Sequence, residues 1–463
     1  IKLDHMKKIN IKLETNRSSN LVQPWPYAGS IGNESREILN HGDGVYVNDG
    51  EGKKLIDGPA GMWCSNLGHR NKDIAKVMYE QAIELSYNSP WYTSNNPAEI
   101  LSRKIAEYAP GDLNDVFFTT GGSTAVESAI RFIQFYNNTR GRNEKKLIMC
   151  REDGYHGSTY LSASLNGKLR TSDWMDYSHE NMIRLSSPKL FGRKEKFNVS
   201  KFEDFLVNEF QEAINLHGSS NIAAFIGEPI LASGGVIVPP ENYFSRIKKK
   251  CEENEILFIA DEVVTGFGRL GHIFSSEKVF NTVPDIITFA KGITSGYFPL
   301  GGVVISSKLM EDLRSSNHPD ANFGHGFTYT SHPIGCSVAL KNLEILENGV
   351  LENVLELSNY FQDKLKLLEQ FSIVGEVRGK GLMACIECVV DYKDKNPLEI
   401  DTKIGERIDQ HCQKLGLLLR PIINMCVLSP PLIINKKQID DIFSILFKGI
   451  ELTTNDLKNE GII

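Results

Sequence analysis

The chain lacks a long apolar run, a framed set of cysteines, a basic charge excess and any repeated segment. A helix that spans a bilayer needs about 20 consecutive, mostly apolar residues, and no stretch reaches that, so no membrane partner is expected. The formal net charge of -7 leaves no basic field for phosphate backbones, which argues against nucleic acid. The eight cysteines (64, 150, 251, 336, 385, 388, 412 and 426) are scattered, most of them in apolar segments. That is the pattern of free thiols in a reducing cytoplasm, the expected location. Cys385 and Cys388 have the spacing of a zinc or redox half-site, but no second pair or histidine cluster completes it. The run from Leu382 to Val390 reads as a buried strand instead, and no metal site is expected. The amino terminus carries no charged-then-apolar signal pattern. It begins Ile-Lys-Leu-Asp-His-Met6, and His-Met is what a common cloning junction leaves, so the first five residues are expected to be a remnant.

What is present is ordinary in bulk, with 41% hydrophobic and 24% charged residues over 463 positions, enough for two or three domains with a substantial core. The organising stretch is Ile256-Leu-Phe-Ile-Ala-Asp-Glu-Val-Val-Thr-Gly-Phe-Gly-Arg-Leu270, together with Ile286-Ile-Thr-Phe-Ala-Lys-Gly292. Each begins as a continuously apolar run of the kind buried on both faces of a parallel sheet, and each ends in a charged residue, Asp261 or Lys291. Ligands of open α/β sheets bind outside the carboxyl ends of the strands. Taken alone, such an Asp caps a helix or turn and such a Lys is solvated. As a pair on consecutive strands they suit an aldehyde cofactor that condenses with the lysine while the carboxylate keeps its ring nitrogen protonated, the pattern of pyridoxal phosphate.

These residues, Asp261-Glu-Val-Val-Thr-Gly-Phe-Gly-Arg269 and Ala290-Lys291-Gly292, resemble the signature of the class III aminotransferases of fold type I, and the likeness runs over most of the chain. The resemblance implies an α/β fold: a large domain with a mostly parallel central sheet flanked by helices, plus a smaller α+β domain. The expected division is an amino-terminal segment 1–70 joining the small domain, a large cofactor-binding domain 71–335 and a small domain 336–463.

Along the chain, Gly44 to Gly50 and Lys54 to Asp57 alternate like a small hairpin. Asp73 to Leu85 and Ala98 to Tyr108 have helical spacing. Val116 to Ile130 reads as strand, Gly-rich turn and helix, in which Gly121 and Gly122 let the backbone approach an anion and Ser123 and Thr124 add hydroxyls where helix amides are unpaired. The same turn can be a mere helix start. It is no P-loop, lacking Gly-Lys-Ser/Thr, and no dinucleotide fingerprint, lacking the third glycine, which disfavours a nucleotide-dependent dehydrogenase. Tyr155 and His156 leave another strand end, and Glu228 ends the strand from Ile222. Leu190 to Lys201 reads as a charged surface loop, and Ile334 to Leu346 and Leu351 to Leu368 as helices.

The resemblance adds roles to these positions. It implies that Tyr155 lies over one face of the pyridine ring, where a capping tyrosine is the plainer reading, and that Val263 lies against the other. Glu228 would be a site carboxylate, hydrogen-bonded or paired with a cation. Thr328 would bind the phosphate of a neighbouring subunit's cofactor, making the enzyme a homodimer with shared sites. Trp63, otherwise a core residue, would line the substrate entrance, and Arg420, otherwise a surface ion-pair residue, would bind the acceptor's carboxylate. Ile423 and Asn424 depart from the residues often seen after that arginine. Val264 stands where the 4-aminobutyrate and ornithine enzymes commonly show Gln, which favours the ω-amine:pyruvate branch. The expected function is therefore transfer of an amino group from an amine donor to pyruvate. The alternatives are a 4-aminobutyrate or diamine:2-oxoglutarate aminotransferase, an aminomutase, or a non-catalytic protein that keeps the cofactor pocket.

Overall fold

The computed structural model describes residues 20–33, 36, 38–167, 174–193, 197–390 and 401–463. The supposed remnant of five residues and the positions that follow it up to 19 lie outside the described residues. Seven strands form the central sheet: β1 (Leu113–Thr119), β2 (Leu147–Arg151), β3 (Met182–Leu185), β4 (Ile222–Gly227), β5 (Leu257–Asp261), β6 (Ile286–Phe289) and β7 (Gly301–Ser306). Their order is β1-β7-β6-β5-β4-β2-β3. β7 runs antiparallel to β1 and β6, and the other pairings are parallel.

The interior strands β4, β5 and β6 read as apolar runs because both sheet faces are covered there. One face presents Ile148, Cys150, Ala224, Ile226, Ile259 and Val303, packed with Ala125, Val126, Ala129 and Ile133 of the helix Gly122–Thr139. The alternate residues Met149, Phe225, Phe258, Ile287, Phe289 and Val304 leave the other face and join the larger core. A side-chain period of two lets consecutive residues serve opposite faces.

Asn71 and Asn95 cap the helices Lys72–Glu84 and Asn96–Tyr108 through their side-chain oxygens. The expected later helices are Pro333–Ile345 and Leu351–Lys366. The surface loop expected over 190–201 is shorter than that: a helix starts at Val199, capped by the Asn198 side chain on the Lys201 amide. The expected hairpin pairs Tyr46–Asn48 with Lys54–Asp57, which then pairs in parallel with Leu417–Leu418 and ties the amino-terminal segment to the carboxy-terminal part. A separate antiparallel sheet holds, in spatial order, Val374–Lys380, Met383–Cys388, Met425–Leu428 and Arg420–Ile422. All eight cysteines are free thiols and all but Cys64 are buried. Among the described residues, no helix is long and apolar enough to cross a membrane, and no three His, Cys, Asp or Glu residues cluster as a metal site.

Candidate active site

The carboxyl ends of β1, β2, β4, β5 and β6 converge on one cavity of about 160 Å³, lined by residues that include Gly122, Ser123, Tyr155, His156, Glu228, Asp261, Val263, Val264 and Lys291. Met62, Gly157, Ser233 and Trp25 complete the wall, four residues that carry no signal of their own in the sequence.

Asp261 ends β5 and is buried. Its Oδ1 accepts the Val263 amide at 3.2 Å, and its Oδ2 lies 2.7 Å from Nδ1 of buried His156. The His156 amide donates to Asn166 Oδ1 at 2.6 Å, so imidazole and carboxylate are held as a unit. Sequence reasoning finds both members of this pair but not their contact, since 105 positions separate them.

Lys291 opens a 3₁₀ turn, Lys291–Thr294, with φ 49°. A non-glycine residue pays about 1–2 kcal/mol to enter the left-handed region, so the turn needs support. Fully buried Asn342 donates to the carbonyls of Gly292 and Ile293, both at 2.9 Å. Nothing in the sequence singles Asn342 out, because its partners lie about fifty residues away. Burial lowers the pKa of the Lys291 ammonium; Asp261 and Glu228 pull it back up, and Arg420 adds to the lowering. The amine therefore becomes neutral at lower pH than a free lysine does, as a nucleophile for an aldehyde must.

Glu228 is buried, and its carboxylate accepts the Tyr155 amide at 2.9 Å and the Ala232 amide at 3.1 Å. These hydrogen-bond partners are backbone donors. Burial pushes its carboxyl pKa up, opposed by His156 and Arg151. Tyr155 is half-buried, with its hydroxyl 3.0 Å from Ser158 Oγ.

The helix Gly122–Thr139 starts at this cavity with no side-chain cap on its first turn, leaving amide donors for an anion. The helix dipole contributes only about 0.3–1 kcal/mol, up to about 2, against about 1.5–3 for each hydrogen bond to a charged group, so directed bonds must do most of the holding. A Cβ on Gly122 would lie 2.9 Å from Val263 Cγ1, so the turn packs against Val263 only because it is glycine. An uncapped helix start, a lysine of lowered pKa and a buried carboxylate fit the phosphate, aldehyde and ring nitrogen of pyridoxal phosphate.

Trp63 is only 2% exposed and, unlike its neighbour Met62, does not line the cavity. Its ring lies 5.5 Å from the Lys291 Nζ and 4.5 Å from the Arg420 guanidinium carbon. Thr328 is exposed and does not line this cavity within the single chain; its carbonyl accepts the Tyr87 hydroxyl at 3.0 Å.

Two signature residues are structural. Fully buried Glu262 accepts the amides of Ser275 and Ser276 at 2.8–3.0 Å, together with the hydroxyls of Ser275 and Thr265. Buried Arg269 donates to the Pro430 carbonyl and to Asn66 Oδ1 at 2.7 Å, its pKa pushed down by burial to about 9. Together they fold the segment after Asp261 back against the carboxy-terminal part.

A mostly parallel sheet with a lysine and a carboxylate at its strand ends defines a class, and comparison with known proteins specifies it. Residues 31–450 match the family described as aminotransferase class-III, and the chain belongs to that family of pyridoxal-phosphate-dependent transaminases. It is 36% identical over 435 residues to a putrescine–pyruvate aminotransferase of Pseudomonas aeruginosa, covering 93% of this chain and 94% of that one. It is 34% identical to a diaminobutyrate–2-oxoglutarate transaminase of Halomonas elongata, covering 93% and 94%. Among solved structures, an (S)-enantioselective omega-transaminase from Thermomicrobium roseum superposes with a TM-score of 0.88 at 36% identity, covering 93% of this chain and 96% of that one.

Proposed function

We propose that this aminotransferase moves an amino group from a primary amine or ω-amino acid to pyruvate, in the cytoplasm, as a homodimer with shared sites. The observation that carries the reading is that the Trp63 ring lies 5.5 Å from the Lys291 amine and 4.5 Å from the Arg420 guanidinium carbon, so a carboxylate-binding fork stands near the reacting amine. When bound, pyridoxal phosphate supplies the electron sink for the carbanion left when the donor loses its proton. In this proposal Lys291 would hold the cofactor and, once released, its amine would take up the proton that the donor carbon loses. Asp261, oriented by His156, keeps the ring nitrogen protonated. Gly122 and Ser123 hold the phosphate through their amides, while Tyr155 and Val263 confine the two faces of the ring. Glu228 orders the Tyr155 strand end through the backbone. Arg420 pairs with the acceptor's carboxylate, its planar fork suited to two parallel hydrogen bonds.

The dimer reading rests on exposure. Trp91 is 78% exposed, Tyr92 88% and Tyr329 58%, an aromatic surface beside Thr328, which in this proposal completes the partner's phosphate site. The division at residues 70 and 335 is likewise a proposal, supported by the pairing of Lys54–Asp57 with Leu417–Leu418.

The deciding experiment incubates the holoenzyme with either pyruvate or 2-oxoglutarate and a donor panel of putrescine, β-alanine, taurine and 1-phenylethylamine and follows alanine or glutamate formation. Alanine from at least one donor is expected. Glutamate from 2-oxoglutarate outpacing alanine with every donor would overturn the pyruvate assignment, and a monomer by sedimentation would overturn the shared site.

A further inference from the structure

The sheet that carries Arg420 carries a second arginine in the same row. Arg378 opposes Cys385, Cys385 opposes Val427, and Val427 opposes Arg420. Directly opposed residues of antiparallel strands share a face, so both arginines leave the same face from the two outer strands, three strand spacings or roughly 14 Å apart. Arg420 ends over Trp63, and Arg378 ends against Gly235, two residues from the cavity-lining Ser233.

That contact is dense. The Arg378 Nε donates to the Gly235 carbonyl at 2.7 Å, and Nη1 donates to Glu376 Oε2 and Glu387 Oε2, both at 2.6 Å. Nη2 faces Cys385 Sγ at 3.5 Å and Met425 Sδ at 3.2 Å. A guanidinium has five N–H donors, and these contacts engage all of them, so Arg378 has no donor left for a substrate. Lys189 Nζ holds the other Glu387 oxygen at 2.6 Å. Gly235 has φ +109°, and a Cβ there would fall 2.3 Å from Met425 Sδ and 2.7 Å from Arg378 Nη2. The close approach therefore needs glycine.

Gly235 belongs to the turn that follows Glu228. Its amide and that of Val236 donate to the Ala232 carbonyl at 3.1 Å, and the Ala232 amide donates to Glu228 Oε2 at 3.1 Å. Ser233 of the same turn lines the cavity.

We propose that Arg378 is the positioning residue for acceptor recognition: by pinning one end of the sheet row to the turn from Glu228 to Val236, it sets where Arg420 stands over Trp63. This rests on the reading of Arg420 as the carboxylate-binding residue. Removing the pin leaves Lys291, Asp261 and the phosphate turn untouched but lets the Arg420 strand drift.

The test uses Arg378→Lys holoenzyme, which keeps the charge and loses the planar fork. The pyruvate KM should rise about tenfold, while the half-reaction with putrescine, which has no carboxylate, changes about twofold or less. The calorimetric affinity for oxamate, an unreactive pyruvate isostere, should fall in parallel. In an Arg420→Ala background the same substitution should add about twofold or less, because coupled residues are not additive. Equal losses with pyruvate and putrescine, or the full effect in the Arg420→Ala background, would overturn the proposal. An Arg420→Ala enzyme with unchanged pyruvate KM and oxamate affinity would instead overturn the reading of Arg420. A strong Arg420→Ala effect beside a silent Arg378→Lys overturns only the positioning role. If Arg378→Lys fails to fold, Glu376→Gln, which weakens the same guanidinium's hold, carries the comparison. A smaller shift of the same kind supports the proposal, and equal losses refute it.

Discussion

Replacing Gly122 by alanine should weaken cofactor binding with little cost to the fold. The added Cβ would stand 2.9 Å from Val263 Cγ1, 3.2 Å from Val263 Cγ2 and 3.7 Å from Ala290 Cβ. Carbon atoms settle at about 3.5–4.0 Å, so Val263 must retreat by roughly half an ångström or more, and it also lines the cavity. Overpacking of this kind costs about 1–3 kcal/mol, a factor of about 5–150 in a dissociation constant. Against this, alanine regains at most about 1 kcal/mol of helix propensity over glycine, and that gain favours the cofactor-free fold equally. Gly121→Ala is the internal control: nothing lies within 4 Å of its Cβ, and its φ of 164° is extended backbone. Titration of the cofactor-free protein with pyridoxal phosphate, followed by tryptophan quenching, should show a dissociation constant about tenfold higher for Gly122→Ala, with a much smaller change for Gly121→Ala. Equal affinities for the two variants, or a fall in melting temperature large enough to explain the loss, would refute the packing argument.

Lys291→Ala should abolish multiple turnovers while cofactor binding survives in part through the phosphate and ring contacts; near wild-type turnover would remove Lys291 from its role. Asp261→Asn should slow the half-reaction with the amine by about tenfold for each pKa unit lost at the ring nitrogen, and single-turnover spectroscopy showing an unchanged rate would contradict that. Glu387 supplies a pH test. Burial would push its carboxyl pKa up, but Arg378 and Lys189 more than reverse this and hold it below the ordinary value of 4.5. Its contribution to stability is therefore present above pH 4.5 and lost as pH falls through the lowered folded value. Glu387→Gln should lower the melting temperature at pH 7, since breaking a buried pair costs about 3–5 kcal/mol, and the gap to wild type should shrink below pH 4.5. A gap that stays constant down to pH 3 would count against the ion pair.

The sequence by itself determined the interior strands of the central sheet and the residues at their ends, but not Met182–Leu185 or Gly301–Ser306. Buried parallel strands must be apolar on both faces, so Leu257–Asp261 and Ile286–Phe289 announce themselves, and a charge at the end of such a run stands out. The Gly-rich turn before Gly122–Thr139 was legible for a similar reason, because backbone geometry restricts which residues can occupy it. Tertiary structure alone decided what those residues touch. His156 meets Asp261 across 105 positions, and Asn342 braces the Lys291 turn from a helix that reads as ordinary core. The row from Arg378 to Arg420 joins segments more than forty positions apart through strand register. Gly121 and Gly122 look alike in sequence, yet only one has Val263 against it. Hydrophobic period and turn chemistry are local properties carried by neighbours in the chain. Hydrogen-bond partnership and steric clearance depend on which distant segments packing brings together, and no local pattern encodes that.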